Sequence, residues 1–292
     1  MPELPEVETL VRELRPHLKN KKIEKVKILA PKMLVPLSKL AFIKKIKGLT
    51  IQGITRRAKV IVIYLSNDYF LLVHLKMTGQ LIFVSARGRS ISGGHPYPTD
   101  DPGNEINQAN KYTRAEFHFI DKSVLYFNDL RKFGWLKLVN KQDKDLLLAN
   151  HGIEPLVKKF TSSVFVEIIT KYPNRKIKQS LLDQSLIAGL GNIYADEACF
   201  LAKIKPERLV YTLTPAELRK LHQAIISVLK LSIKMKGTSA KNYVRADGSK
   251  GGFVPYLNVY GRTNQPCKKC GRPIVKIKLI GRGTHFCQKC QI

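Results

Sequence analysis

Two residue patterns in this chain are equipped for chemistry. Four of its five cysteines stand as two pairs, Cys267-Lys-Lys-Cys270 and Cys287-Gln-Lys-Cys290, with 16 residues between them. Thiolates at this spacing fold into a hairpin whose sulfurs meet tetrahedrally around one Zn²⁺. With cysteine at all four positions no coordination site is left for a reactant, so the metal is structural; a redox dithiol pair is the weaker reading of two matched knuckles. Cys199, in a helical stretch, reads as a small buried residue. The second pattern opens the chain, where Pro2 and Glu3 begin PELPEVETL. Once Met1 is removed, Pro2 presents a secondary amine of pKa about 8, against about 10.4 for lysine, so much more of it is neutral and nucleophilic near pH 7. Such an amine forms an iminium that acidifies the neighbouring C–H, and Glu3 supplies a carboxyl for acid and base steps. Glu6, one turn on, can support the amine. Taken singly these residues have plainer uses, since early glutamates commonly complement a helix dipole.

The elements that must position these groups follow from hydrophobic period. Val7, Leu10, Val11, Leu14 and Leu18 mark one face of a helix over 3–18, with Pro5 in its first turn. IEKVKIL, KVIVIYL, YFLLVHL, EFHFI and SVLYF read as strands, and Asn67-Asp68 as a two-residue hairpin turn. Residues 86–110, rich in Gly, Ser, Pro, Asn and Asp, read as a long loop. After about residue 140 the texture becomes helical, with helices expected over 162–171, 176–187, 192–202 and 214–235, the last opened by Thr214-Pro215-Ala216-Glu217. Between the cysteine pairs, IVKIKLIGRGTHF suggests two strands joined at Gly281-Arg282-Gly283, an arginine at the tip of a metal-pinned hairpin. That arginine reaches a phosphate or is simply solvated. The fold class is α+β: a β-rich domain over 1–140, a linker over 141–160, a helical domain over 161–256, and a metal module over 257–292.

Charge narrows the partner. Lys and Arg number 51 against 22 Asp and Glu, a formal net charge of +29. A surface this positive favours a polyanion, because each phosphate neutralised releases condensed counterions. A membrane surface fits less well, because no basic amphipathic helix with an aromatic apolar face is evident. No apolar run approaches the roughly 20 residues a membrane helix needs. The N-terminus lacks the basic-then-apolar order of a secretory signal, so the expected location is the cell interior, the cytoplasm, with cysteines reduced.

PELPEVETL, AGLGNIYADEA (188–198), DLRKFG (129–134) and the two-knuckle terminus ending in CQ, taken together, resemble the formamidopyrimidine-DNA glycosylases of the Fpg/Nei family, in the expected order from residue 2 to residue 291. The resemblance implies a β-sandwich with an N-terminal helix, joined to a helix–two-turn–helix domain bearing a zinc finger. It implies a bifunctional enzyme, a glycosylase and lyase acting on double-stranded DNA that holds oxidised purines or abasic sites; a monomer is the simplest expectation, since such an enzyme follows one lesion on one strand. Pro2 would attack the sugar C1′ and expel the base, and Glu3 would serve as acid and then base. Lys59 matches the family lysine that contacts phosphates around the damaged nucleotide, and His74 a further phosphate contact, although a lone His in an apolar strand is more often structural. Asn192 follows Gly189-Leu190-Gly191 and would hold a phosphate at a helix start. Lys178 lies where the family has a basic residue near DNA. Met77, Arg131 and Phe133 would fill the gap left by the everted nucleotide, with Arg131 on the orphaned cytosine, which lowers the cost of unstacking; a Met–Phe pair is otherwise ordinary core. Residues 237–252 resemble the loop that closes over the lesion.

Two readings compete. A non-catalytic nucleic-acid binder would keep the basic scaffold and finger, but intact Pro2 and Glu3 argue against it. The sister endonuclease VIII group shares the proline, glutamate and finger and prefers oxidised pyrimidines. The 86–110 loop is longer than the family pattern, and no function is read from it.

Overall fold

The computed structural model describes residues 1–88, 90–94, 109–238 and 251–292. They fall into two compact units, Met1–Ala149 with Lys236–Gly252, and Asn150–Met235 with Phe253–Ile292.

The first unit opens with α1 (Leu4–Leu18), whose apolar stripe of Leu4, Val7, Leu10, Val11, Leu14 and Leu18 is fully buried, as its spacing predicts. There follow β1 (Ile23–Ile28), α2 (Lys39–Ile46), β2 (Ile51–Arg57), β3 (Val60–Leu65), β4 (Phe70–His74), β5 (Gly79–Val84), β6 (Ser90–Gly94), β7 (Thr113–Phe119), β8 (Val124–Asp129), β9 (Trp135–Val139) and α3 (Lys141–Ala149). The strands form two antiparallel sheets, ordered β1-β7-β8-β5-β6 and β2-β3-β4-β9. Ile61, Ile63, Leu71 and Val73 of the smaller sheet share one core with Phe83, Phe117, Leu125 and Phe127 of the larger, and α1 contributes Leu10 and Leu14 to it. Two sheets closing on one apolar interior make a sandwich.

Local chemistry accounts for the departures from the sequence reading. The run KVIVIYL does not alternate because β3 is covered on both faces. Val60 and Val62 pack with Phe70, Leu72 and Val139 in a second cluster, against Leu147 and Leu148 of α3. The segment 141–160, expected as a linker, therefore begins with a helix belonging to the first unit. The expected loop 86–110 contains β6, while 89 and 95–108 lie outside the described residues. Its Gly93 serves close packing: a Cβ there would stand 2.4 Å from Leu10 Cδ1 of α1. Asn67 and Asp68 both take positive φ, 60° and 55°, the two-residue turn that the Asn-Asp spacing predicts between β3 and β4.

The second unit holds α4 (Ser162–Thr170), α5 (Ile177–Leu182), α6 (Asn192–Leu201), α7 (Pro215–Lys234) and the hairpin β10 (Val275–Leu279) and β11 (Arg282–Phe286). Thr214 and Glu217 form the reciprocal cap of α7, Thr214 N–H donating to Glu217 at 2.8 Å and Glu217 N–H to Thr214 Oγ1 at 3.2 Å. The helix expected over 176–187 stops at Leu182, because the Asp183 carboxylate accepts from the N–H and hydroxyl of Ser185 at 2.9 and 2.6 Å and turns the chain. No described helix is long and apolar enough to cross a membrane.

Candidate active site and metal centre

At the start of α1 the exposed backbone donors of a helix N-terminus are met by glutamates. Glu3 is the N-cap and Glu6 reaches back, its Oε2 accepting the Glu3 N–H at 2.8 Å. Glu6 Oε1 accepts the N–H of Thr238 at 2.8 Å, and Thr238 pairs with Gly252. One carboxylate thus fastens the chain start to the base of the 237–252 segment, of which 239–250 lie outside the described residues. That segment groups with the first unit, not with the helical domain into which sequence order put it. Pro2, Glu3 and Glu6 are all buried. Burial pushes the N-terminal amine, carried here by Met1, below its ordinary 8.0; Glu3 and Glu6 pull it back up, and Lys59 pushes it down.

Lys59 sits with Ala58 in the tight turn where Arg57 of β2 faces Val60 of β3, and is 7% exposed. The turn is braced by Arg56, which donates to Ala58 O at 3.3 Å and to Glu8 of α1 at 2.8 Å. Against the upward push of burial, Arg56 and Arg12 hold the Glu8 carboxyl below its usual range, so it stays an anion. The structure therefore brings together the amine, Glu3, Glu6 and Lys59. Sequence reasoning missed the Glu8–Arg56 brace, since an Arg within β2 carries no signal of its partner 48 residues away.

A second set of groups sits on two joined loops. His74 ends β4, accepts the Lys76 N–H through Nδ1 at 2.9 Å and lies 5.5 Å from the Trp135 ring. The turn after it is tight: Gly79 N–H donates to Leu75 O at 2.8 Å, and a Cβ at Gly79 would stand 2.3 Å from that oxygen. Met77, in this turn, is 39% exposed. Asp129, wholly buried, accepts from the Thr78 hydroxyl, from Arg131 N–H at 3.1 Å and from Gly134 N–H at 2.7 Å. Thr78 Oγ1 in turn accepts the Arg131 N–H at 3.0 Å. The Met77 turn and the Arg131 loop are thus one unit, and they present Arg131 with its guanidinium 4.5 Å over the 53%-exposed Phe133 ring. Asp129 and Thr78 are positioning residues that the sequence reading did not single out.

In the second unit, Lys178, Asn192 and Arg282 converge on one hairpin. The turn between β10 and β11 is Ile280-Gly281, φ 46° and 72°, one residue earlier than expected, so Arg282 opens β11 and is exposed. Lys178 does not offer its ammonium to solvent. It is fully buried, 2.5 Å from Asp196 Oδ1 and 2.8 Å from Thr284 Oγ1. Asp196 also accepts the His285 N–H at 2.9 Å. Asn192, first residue of α6, donates its carboxamide to Gly283 O at 2.9 Å. Glu197, one residue beyond Asp196 and equally buried, accepts the N–H groups of Asn258, Val259 and Tyr260 at 2.9–3.0 Å.

The four cysteine sulfurs lie within 4.8 Å of one another. Tetrahedral zinc with Zn–S near 2.3 Å sets sulfurs about 3.8 Å apart, and the Cys267–Cys290 and Cys270–Cys287 pairs stand at 3.9 and 3.4 Å. Without a cation the thiols compete: the Arg272 N–H draws Cys270 down to about 7, while burial and then the neighbouring thiols push Cys290 up to about 12. A dication removes that conflict, and the donors fit one structural zinc. Cys199 stands apart, its thiol pushed up to about 12 by burial and then by Asp196.

Comparison with known proteins accords with this geometry. The chain matches the formamidopyrimidine-DNA glycosylase N-terminal domain over residues 1–136, the formamidopyrimidine-DNA glycosylase H2TH domain over 151–244, and the zinc finger found in FPG and IleRS over 264–292. It is 38% identical to a formamidopyrimidine-DNA glycosylase of Listeria monocytogenes over 293 residues, covering 100% of both chains. It is 41% identical to one of Brevibacillus brevis, covering 100% of this chain and 99% of that one. A Lactococcus lactis FPG mutant in complex with Fapy-dG containing DNA superposes with a TM-score of 0.86 at 37% identity, covering 99% of each chain. The L. lactis enzyme with abasic-site DNA gives 0.85 at 37% identity and the same coverage. On full-length likeness to these proteins, the chain belongs to the formamidopyrimidine-DNA glycosylase family.

Proposed function

We propose that the protein is a base-excision repair glycosylase and lyase that removes oxidised purines, 8-oxoguanine and formamidopyrimidines, from double-stranded DNA and then cuts the strand. The observation that carries this reading is the gathering of buried Pro2, Glu3, Glu6 and Lys59 at the N-terminal amine, whose charge the three ionisable side chains all feel. Loss of Met1 leaves the Pro2 nitrogen as that amine. It attacks C1′ and gives up its own proton while the C1′–N9 bond breaks and the base departs with a proton supplied by acid; Glu3 then delivers its proton to O4′ as the C1′–O4′ bond opens, leaving an iminium between Pro2 and the opened sugar. The iminium acidifies C2′–H; Glu3 takes that proton, the 3′ phosphate leaves, and a second elimination releases the 5′ phosphate before water frees Pro2. Lys59, His74 and Asn192 hold phosphates, and Arg282 extends the grip from the zinc hairpin. Lys178 acts inside the protein, setting the Gly283–Thr284 backbone. Met77, Arg131 and Phe133 enter the stack vacated by the extruded nucleotide, Arg131 toward the orphaned base.

Borohydride trapping on an 8-oxoguanine duplex tests the reading. Met1-free protein forms a covalent adduct that maps to Pro2, and protein with one residue retained before Pro2 forms no adduct at Pro2. Absence of any adduct from Met1-free protein would favour a mere binding module. Comparison of oxidised purine and pyrimidine substrates separates the purine reading from an endonuclease VIII-like one. The protein works as a cytoplasmic monomer, one lesion on one strand requiring one amine.

A further inference from the structure

The half-buried His74 ring, which the proposed function sets on a phosphate, is held by two neighbours. Its Nδ1 accepts the Lys76 N–H at 2.9 Å. A ring nitrogen that accepts a hydrogen bond carries no proton of its own, so the neutral imidazole keeps its proton on Nε2, where it is a donor. The Lys76 amide is itself fixed: Lys76 takes a positive φ of 50°, inside the turn that Gly79 N–H closes on Leu75 O at 2.8 Å. This one hydrogen bond sets which nitrogen donates but leaves the ring free to swing about it. Trp135, the second neighbour, removes that freedom: the indole and imidazole centroids stand 5.5 Å apart at an interplanar angle of 45°.

Register places Trp135 for this contact. It opens β9 and pairs directly with His74, the last residue of β4, so the two side chains leave the same face of the sheet. The indole packs against the cluster that holds Val60, Val62 and Leu72. Lys137 Nζ lies 5.0 Å from the indole centroid, a cation–π contact that holds it further. The backbone before Trp135 is pinned as well. Gly134 N–H donates to the buried Asp129 at 2.7 Å, and a Cβ on Gly134 would stand 3.0 Å from His74 O. His74 precedes the Met77 turn and Trp135 follows the Arg131 loop, so their ring contact closes the base of both. Val60 pairs with Arg57 on one side and His74 on the other, so the same face carries two cations, Arg57 and Lys137, beside the rings. A face of this charge suits a phosphate backbone.

We propose that Trp135 is a positioning residue for DNA binding: its indole holds the His74 imidazole in the orientation that presents Nε2–H to a phosphate. Trp135 acts through His74 and does not itself touch DNA. This role rests on the reading of His74 as a phosphate contact. A donor locked by packing has less freedom to lose when the phosphate arrives, which is how a ring beside the contact strengthens it.

The test is a double-mutant cycle, read by fluorescence anisotropy on zinc-loaded, Met1-free protein. The probe is a labelled duplex with a reduced abasic site, which has no C1′ carbonyl and so stays uncut. His74→Ala is expected to weaken binding roughly tenfold, and Trp135→Leu roughly three- to tenfold. Trp135→Phe recovers most of that loss. The protein with both His74→Ala and Trp135→Leu binds no more weakly than His74→Ala alone. Circular dichroism verifies that each variant is folded at the assay temperature. A merely destabilised protein, or an indole that touches DNA itself, would lose affinity by the same factor with or without His74, so additive losses overturn the proposal. So does a Trp135→Leu protein that binds like the native one, or a Trp135→Phe protein as weak as Trp135→Leu. Undiminished binding by His74→Ala strikes the phosphate contact itself, and the positioning role falls with it. A loss in His74→Ala without one in Trp135→Leu strikes the positioning role alone.

Discussion

Lys178 and Asp196 form an ion pair wholly shut off from solvent, 2.5 Å between Nζ and Oδ1, beside the hairpin that the four cysteines close. Its third partner, Thr284 Oγ1 at 2.8 Å, belongs to β11, and Asp196 also binds the His285 N–H, so both charges act on the strand that begins with Arg282.

Removing one member should be much worse than removing the pair. Lys178→Met leaves Asp196 a buried uncompensated anion, a loss of about 3–5 kcal/mol. Lys178→Met with Asp196→Asn recovers most of it, since the asparagine oxygen still accepts the His285 N–H. Urea unfolding of the zinc-loaded protein checks both; an additive double variant would contradict the pairing.

Glu6 ties the Glu3 N–H to the Thr238 N–H through one carboxylate. Hydrogen bonds to a charged group are worth about 1.5–3 kcal/mol, so Glu6→Ala should slow borohydride trapping roughly 10- to 100-fold. Binding of undamaged duplex should hold nearly constant. Single-turnover trapping beside a gel-shift titration measures the two quantities together.

The Met1 amine is depressed below 8.0 chiefly by burial, with Lys59 adding to the effect and Glu3 and Glu6 opposing it. The Pro2 amine that replaces it has the same charged neighbours and attacks only when neutral, so the trapping rate should rise with pH as that amine loses its proton. Replacing Lys59 by Met removes a positive neighbour, which favours the ammonium and moves the midpoint of that rise upward. An unchanged midpoint would mean that Lys59 does not face the amine.

Asp129 satisfies the Thr78 hydroxyl and the N–H groups of Arg131 and Gly134. Asp129→Ala leaves those buried donors short, at about 1–3 kcal/mol for each one that finds no other partner. Thr78→Val removes only the hydroxyl and should cost about 1 kcal/mol. Thermal unfolding ranks them, and excision opposite cytosine should fall in the same order if the Arg131 loop depends on this clamp.

Chelation should release one zinc per chain and loosen β10 and β11, because the metal and the short hairpin fold together. Duplex affinity then drops while the β-sandwich keeps its far-UV dichroism, a pair of readings obtained from one titration with a zinc-release dye.

The sequence alone determined those features whose physics is local. The period of Val7, Leu10, Val11 and Leu14 is enough for α1, positive-φ residues at Asn67-Asp68 for a tight turn, the Thr214–Glu217 spacing for a helix start, and paired cysteines for a zinc hairpin. The order of PELPE, DLRKFG, AGLGNIYADEA and the two knuckles carried the family, because each string is long enough to be specific. Tertiary structure decided whatever depends on a partner distant in the chain. KVIVIYL is doubly buried only because α3 covers its second face. Gly93 reads as loop until α1 is laid against it, and Lys178 reads as a surface cation until Asp196 and Thr284 are folded around it. A side chain's charge is written in its own letter, but the direction in which it points, and whether water reaches it, is set by residues that meet it only after folding.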